Sequence, residues 1–187
     1  VTSRWAVDVA PHRDLELVWR PISLLFKNDT QPDSAWYEPV KYTHDLLRVL
    51  ESVRAAEGDG PIGRFYEVAG EHIHQRSSRP AAAALLAEAG LDVAHAAAAD
   101  DPAWDVVIRA GMDEGLALVG NDVGTPIISF DGPAGERVGF FGPVISRRLP
   151  LDASLRLWDG MMLMGTVPSF WELKRSRTEG PDFSPPA

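Results

Sequence analysis

The spacing of apolar residues changes twice along this chain, and the two changes restrict its fold more than any single motif does. Between residue 33 and about residue 119, apolar side chains recur every three or four residues, as on one face of an α-helix. On both sides of that block the period is two. Leu15-Glu16-Leu17-Val18-Trp19-Arg20 alternates apolar and polar residues of β-favouring type and stops at Pro21, which predicts a strand. Ile127-Ile128-Ser129-Phe130, the turn Asp131-Gly132, and Val138-Gly139-Phe140-Phe141 predict an antiparallel hairpin. The fold class is therefore α/β, with a helical insertion in a strand-bearing domain. Residues 15–20 and 127–130 are expected to share one sheet.

The remaining elements follow from the same reasoning. Residues 1–10, with Trp5, Val7 and Val9, read as a short helix that stops at Pro11. Inside the block, Trp36, Val40, Thr43, Leu47, Leu50 and Val53 predict an inward stripe on a helix capped by Asp33 or Ser34 and closed by Gly58 and Gly60. Phe65, Val68, Ala69 and Ile73 keep the same period. Residues 81–89 form an alanine-rich helix behind Pro80, ended by Gly90. Asp101-Pro102 is an N-cap and first-position proline, opening a helix with Trp104, Val107, Ile108, Met112 and Leu116 inward. After the hairpin, residues 151–164 predict a helix with Leu155, Trp158, Met161 and Met162 near one face, and residues 170–177 extend its helical end. Residues 1–30 and 119–177 then make one domain, residues 31–118 an insertion, and residues 178–187 a tail.

Composition excludes several functions. A net charge of −9 provides no global basic field for nucleic acid or an anionic membrane. No stretch supplies the ~20 continuous apolar residues of a membrane span, and a cytoplasmic location is expected. The chain has no cysteine, so it can form neither a disulfide nor a thiolate metal site, and it has no thiol nucleophile.

Other candidate sites have plain structural explanations. His72-Ile73-His74 suggests a metal, with His44 and His95 as further ligands. Residues two apart on a helix point about 200° away from one another, however, whereas helical metal pairs are three or four apart. No metal is expected. One of the two histidines should pack at the insertion's inner surface and the other face solvent, with His74 able to line a cleft. Met161, Met162 and Met164 with Trp158 and Phe170 have core spacing, a greasy substrate groove being the rival reading. Asp100 and Asp101 suit a helix cap, Ser3 has no positioned base, and residues 132–135 lack phosphate-loop spacing.

Val123-Gly124-Thr125-Pro126 ahead of the hairpin resembles the cis-proline loop of thioredoxin-like thiol oxidoreductases. The likeness extends through Val1-Thr2-Ser3-Arg4-Trp5, Gly120-Asn121-Asp122, Phe140-Phe141-Gly142-Pro143-Val144, Leu157-Trp158-Asp159 and the run from Phe170 to Glu179. Together these words resemble the actinobacterial mycothiol-dependent nitroreductase group of the DsbA family. The resemblance implies a thioredoxin-like fold of the DsbA type whose first strand and Cys-Pro-Trp-Cys type motif would lie just upstream of Val1. No catalytic residue can be carried over. Gly124, Thr125 and Pro126 are the implied substrate-binding residues, with His74 as a further candidate. Pro126 is expected to be cis, turning the polar groups of Thr125 outward to pair with an extended thiol or peptide.

The resemblance further implies mycothiol as reductant, no bound cofactor, and a small thiol, disulfide or nitro-aromatic substrate, and it leaves a homodimer open. The first functional reading is a thiol-disulfide or mycothiol-dependent reductase, inactive without its cysteines. The second is a non-catalytic binding protein or remnant. A third is a glutathione-transferase-like enzyme that activates a thiol carried by its ligand.

Overall fold

The computed structural model describes residues 1–184, so residues 185–187 of the expected tail lie outside the described residues. Chain contacts divide it into two compact units, Val1–Leu17 with the chain from Gly115 onward, and Val18–Glu114.

The first unit contains helix α1 (Thr2–Arg13), hairpin strands β1 (Ile127–Asp131) and β2 (Arg137–Phe141), and helix α7 (Leu151–Gly165). Its core is Trp5, Ala6 and Val9 of α1 packed against Trp158 and Met161 of α7, with Ile128, Phe130 and Phe140 of the hairpin beside them. Helix α1 does not stop at Pro11. Proline there forgoes only one helical hydrogen bond near the helix end, and the helix closes at Asp14, whose left-handed backbone lets its N–H reach the Ala10 carbonyl. The hairpin pairs Ile127 with Phe141 and Ser129 with Gly139, in antiparallel register. Its connection is longer than the two-residue turn expected. Gly132 N–H donates to Glu136 O and Gly135 N–H to Gly132 O, so residues 132–136 form the loop.

Two expectations require correction. Residues 15–20 do not form a strand, and the only sheet among the described residues is the β1–β2 pair. Their alternation is nevertheless present as burial: Leu15, Leu17 and Trp19 are half-buried, while Glu16, Val18 and Arg20 are exposed. Alternation specifies which side chains turn inward, whereas a strand also needs a neighbour to complete its hydrogen-bond ladder. Residues 170–177 are not helical either. Helix α7 closes at Thr166, and Pro168 has no N–H with which to continue it. The chain beyond is held by Phe170 packed edge-on against Phe140, by a Glu179–Arg147 ion pair, and by Asp182 N–H donating to Ser146 O.

The second unit is helical. It contains α2 (Leu24–Lys27), α3 (Tyr37–Glu57), α4 (Ile62–His74), α5 (Ala82–Ala89), short 3-10 turns at Val93–Asp100 and Pro102–Trp104, and the start of α6 (Asp105–Val119). Leu46, Val49, Leu50 and Val53 of α3 pack with Phe65 and Val68 of α4 and Leu85 and Leu86 of α5. The buried face of α3 is wider than the expected stripe: Leu50 and Val53 are buried as expected and His44, Leu46 and Val49 are buried beside them, whereas Trp36 is 72% exposed. Neighbours cover α3 along more than one line, which its own periodicity cannot show. Val107, expected inward on α6, is exposed, and the helix turns in Ile108 and Met112. Gly90 has the left-handed conformation (φ 77°) that ends α5, and the Asp101 side chain accepts from Ala103 N–H to cap the Pro102 turn.

Candidate functional site

In the first unit, Gly120 ends α6 with its N–H on the Leu116 carbonyl and a φ of 88°, a value glycine adopts without a Cβ penalty. The chain then crosses Asn121, Asp122 and Val123 to Gly124, Thr125 and Pro126, and enters β1. Gly124 and Thr125 are exposed, Pro126 is half-buried, and the Thr125–Pro126 peptide bond is cis. At the exit of β2, Gly142 N–H donates to Pro126 O at 2.8 Å, so the two ends of the hairpin are tied together beside this loop. The Gly142–Pro143 bond is also cis. Pro143 O in turn accepts from Thr2 Oγ1 at 2.9 Å. The first turn of α1, the β2 exit and the Pro126 loop are thus linked by hydrogen bonds. An exposed peptide beside a strand has backbone polar groups that can pair with an extended ligand.

At the other end of β1, about 13 Å away at the usual rise per residue, lies an open groove of about 490 Å³. Phe130, Met162, Leu163 and Thr166 line it, together with Asp131 and Asp159. Both carboxylates already have partners: Asp131 with Arg137, and Asp159 with both nitrogens of an Arg13 fork at 2.7 Å. The methionines divide accordingly. Met161 is buried in the core, and Met162 reaches the groove.

Four of the five histidines lie in the second unit, and three of these have a serine and a carboxylate as neighbours. His72 Nδ1 is 2.9 Å from Ser78 Oγ and its Nε2 is 2.8 Å from Glu88. His95 Nδ1 is 2.8 Å from Ser52 Oγ, with Glu57 at 3.6 Å from Nε2. His74 ends α4 and is exposed. Among the described residues no group of three His, Cys, Asp or Glu side chains could hold a metal ion.

Sequence reasoning missed a buried polar assembly in the second unit. Ser23 Oγ is 2.9 Å from His44 Nδ1, His44 Nε2 is 3.1 Å from Asp105 Oδ1, and Asp105 takes a bidentate pair from Arg48 at 2.7 and 2.9 Å. The ionised Asp105 carboxylate can only accept, so its bond with His44 requires the ring hydrogen on Nε2, which leaves Nδ1 to accept from the Ser23 hydroxyl, whose oxygen in turn accepts from Phe26 N–H. Burial lowers the His44 pKa, against the opposing pull of Asp105. Burial alone would raise the pKa of Asp105, but the Arg48 hydrogen bonds and charge outweigh it and keep the carboxyl ionised. The order serine, histidine, aspartate is that of a hydrolytic triad. Ser23 is fully buried and caps α2, so no substrate can reach it, and the assembly is structural. Its members lie 21 and 61 residues apart, at a spacing that carries no motif.

The class these elements define is mixed α/β, mostly helical with a small two-stranded sheet, consistent with a thioredoxin-like fold. A family model described as Rv2466c-like, mycothiol-dependent nitroreductase Rv2466c, matches residues 1–175, and the chain belongs to that family. The match indicates a mycothiol-dependent reductase-like function on a small molecule. No helix among the described residues is long and apolar enough to cross a membrane.

Proposed function

We propose that this chain is a DsbA-type member of the family that binds mycothiol or its disulfide along the Gly124-Thr125-Pro126 segment and does not itself turn over. The observation that carries this reading is a family match over residues 1–175 in a chain with no cysteine. Reduction through a mixed disulfide needs a thiolate on the protein, and no other side chain supplies one. The thiol would be the ligand's own. The loop would contribute polar backbone groups at an exposed edge, next to the Gly142–Pro126 hydrogen bond that holds its far side.

Two measurements test the reading. Steady-state assays of the purified chain with mycothiol and a disulfide or nitro-aromatic acceptor should give no rate above the protein-free control. Titration with mycothiol disulfide, followed by backbone amide NMR, should shift Gly124 and Thr125. Any contact from His74 is read separately in the same titration of a His74→Ala variant. Turnover by the cysteine-free chain would favour activation of the ligand's thiol, as in a glutathione transferase. Silence at Gly124 and Thr125 would remove the loop from the site.

A further inference from the structure

Thr2 occupies the first turn of α1 but does not use its hydroxyl to cap that helix, which has no side-chain cap. Its Oγ1 instead donates to the Pro143 carbonyl 2.9 Å away, across 141 residues of sequence. One residue before Pro143, the Gly142 N–H donates to Pro126 O at 2.8 Å. Gly142 has a φ of 108°, which L side chains rarely adopt, and a Cβ there would lie 3.2 Å from the Val144 nitrogen. Residues 142 and 143 thus form a short bridge gripped at one end by Thr2 and at the other by Pro126. The hydroxyl of Thr2 is the only part of its side chain able to make this bond, since the methyl has nothing to donate.

We infer that Thr2 is a positioning residue: it fixes the Gly124-Thr125-Pro126 segment relative to the first turn of α1, and so sets the geometry in which a thiol ligand meets the Thr125 backbone. This rests on the binding reading above, although the tether itself can be tested without any ligand. Thr2→Val keeps the shape and removes the donor, whereas Thr2→Ser keeps the donor and removes the methyl.

Residue-level hydrogen exchange of the full chain provides the ligand-free readout. In Thr2→Val the Gly142 amide should exchange about tenfold faster, as expected for loss of one supporting hydrogen bond, while Ser129 and Phe130 in the hairpin keep their wild-type rates. Thr2→Ser should restore the Gly142 rate. Titration with mycothiol disulfide should show affinity about tenfold weaker in Thr2→Val and near wild type in Thr2→Ser. Unchanged exchange at Gly142, an equal rise throughout the hairpin, or a serine variant as fast as the valine variant would each overturn the inference. So would wild-type affinity in a Thr2→Val protein that binds. If the wild-type chain fails to bind mycothiol disulfide at all, the mycothiol reading falls, and the exchange data alone decide whether Thr2 holds the loop.

Discussion

The Trp5 indole N–H donates to the Ser154 carbonyl at 3.2 Å, joining the first helix of the chain to the last. Both residues are about 1% exposed, and the Trp5 ring lies 5.9 Å from that of Trp158 in a tilted pair. Arg13–Asp159 and Arg148–Asp8 ion pairs flank this contact within the same unit, on more exposed positions where such pairs contribute little. Most of the stabilisation between α1 and α7 therefore comes from the buried contacts of Trp5, Ala6 and Val9 with Trp158 and Met161.

Substitutions at Trp5 should separate its two contributions. Trp5→Phe removes the donor and part of the ring, and should cost about 1–2 kcal/mol. Trp5→Ala empties a buried site and should cost about 3–5 kcal/mol. Urea unfolding monitored by far-UV circular dichroism measures both. Equal costs would assign the whole effect to the hydrogen bond.

The buried His44 predicts a specific acid sensitivity. Its pKa is lower in the folded chain than in the unfolded one, so its contribution to stability is fully present above the ordinary histidine value of about 6.5 and is lost as pH falls below it. The slope should reach up to about 1.4 kcal/mol per pH unit. Asp105, with a lowered folded pKa, acts with the same sign but only below about pH 4. Denaturant melts of wild type and His44→Gln between pH 7.5 and 5 should show a shallower slope in the variant. Parallel slopes would place the acid sensitivity elsewhere.

Glycine substitutions in the hairpin should differ by what a new Cβ meets. At Gly139 it would lie 2.6 Å from Leu118 Cβ, which is fixed to the α6 backbone. At Gly132 the obstacle is the Glu136 carboxylate, the far end of an exposed side chain that can swing away. Gly139→Ala should lower stability by about 1–3 kcal/mol through overpacking, and Gly132→Ala by under about 0.5 kcal/mol, as for ordinary surface changes. Thermal melts of the two variants under one condition provide the comparison.

Gly165 offers a second case of close approach, where a Cβ would lie 2.6 Å from the Phe130 ring. Gly165→Ala should displace that ring and narrow the groove bounded by Phe130 and Met162. The melting temperature should fall, as at other overpacked sites, and an unchanged value would show that the ring moves without cost.

Features with a local cause could be read from the amino acids alone. Alternation in residues 127–141 specified the hairpin, the Phe65, Val68 and Ala69 spacing specified the buried face of α4, and Gly90 and Asp101 marked boundaries through their own backbone and side-chain chemistry. The exposed Gly124-Thr125 segment ahead of β1 was likewise visible as a word. Tertiary structure decided whatever depends on a distant partner. Leu15, Leu17 and Trp19 turn inward as their pattern requires, yet a ladder needs a second backbone, and none among the described residues pairs with them. Residues 170–177, expected to extend the helical end, lie outside any helix with Trp171 and Leu173 exposed, because Pro168 interrupts the chain after α7 and no core among the described residues receives them. Ser23, His44, Asp105 and Arg48 are unremarkable in sequence and become one buried assembly only when α2, α3 and α6 meet. Periodicity determines which face of a segment avoids water, while only packing determines what that face finds there.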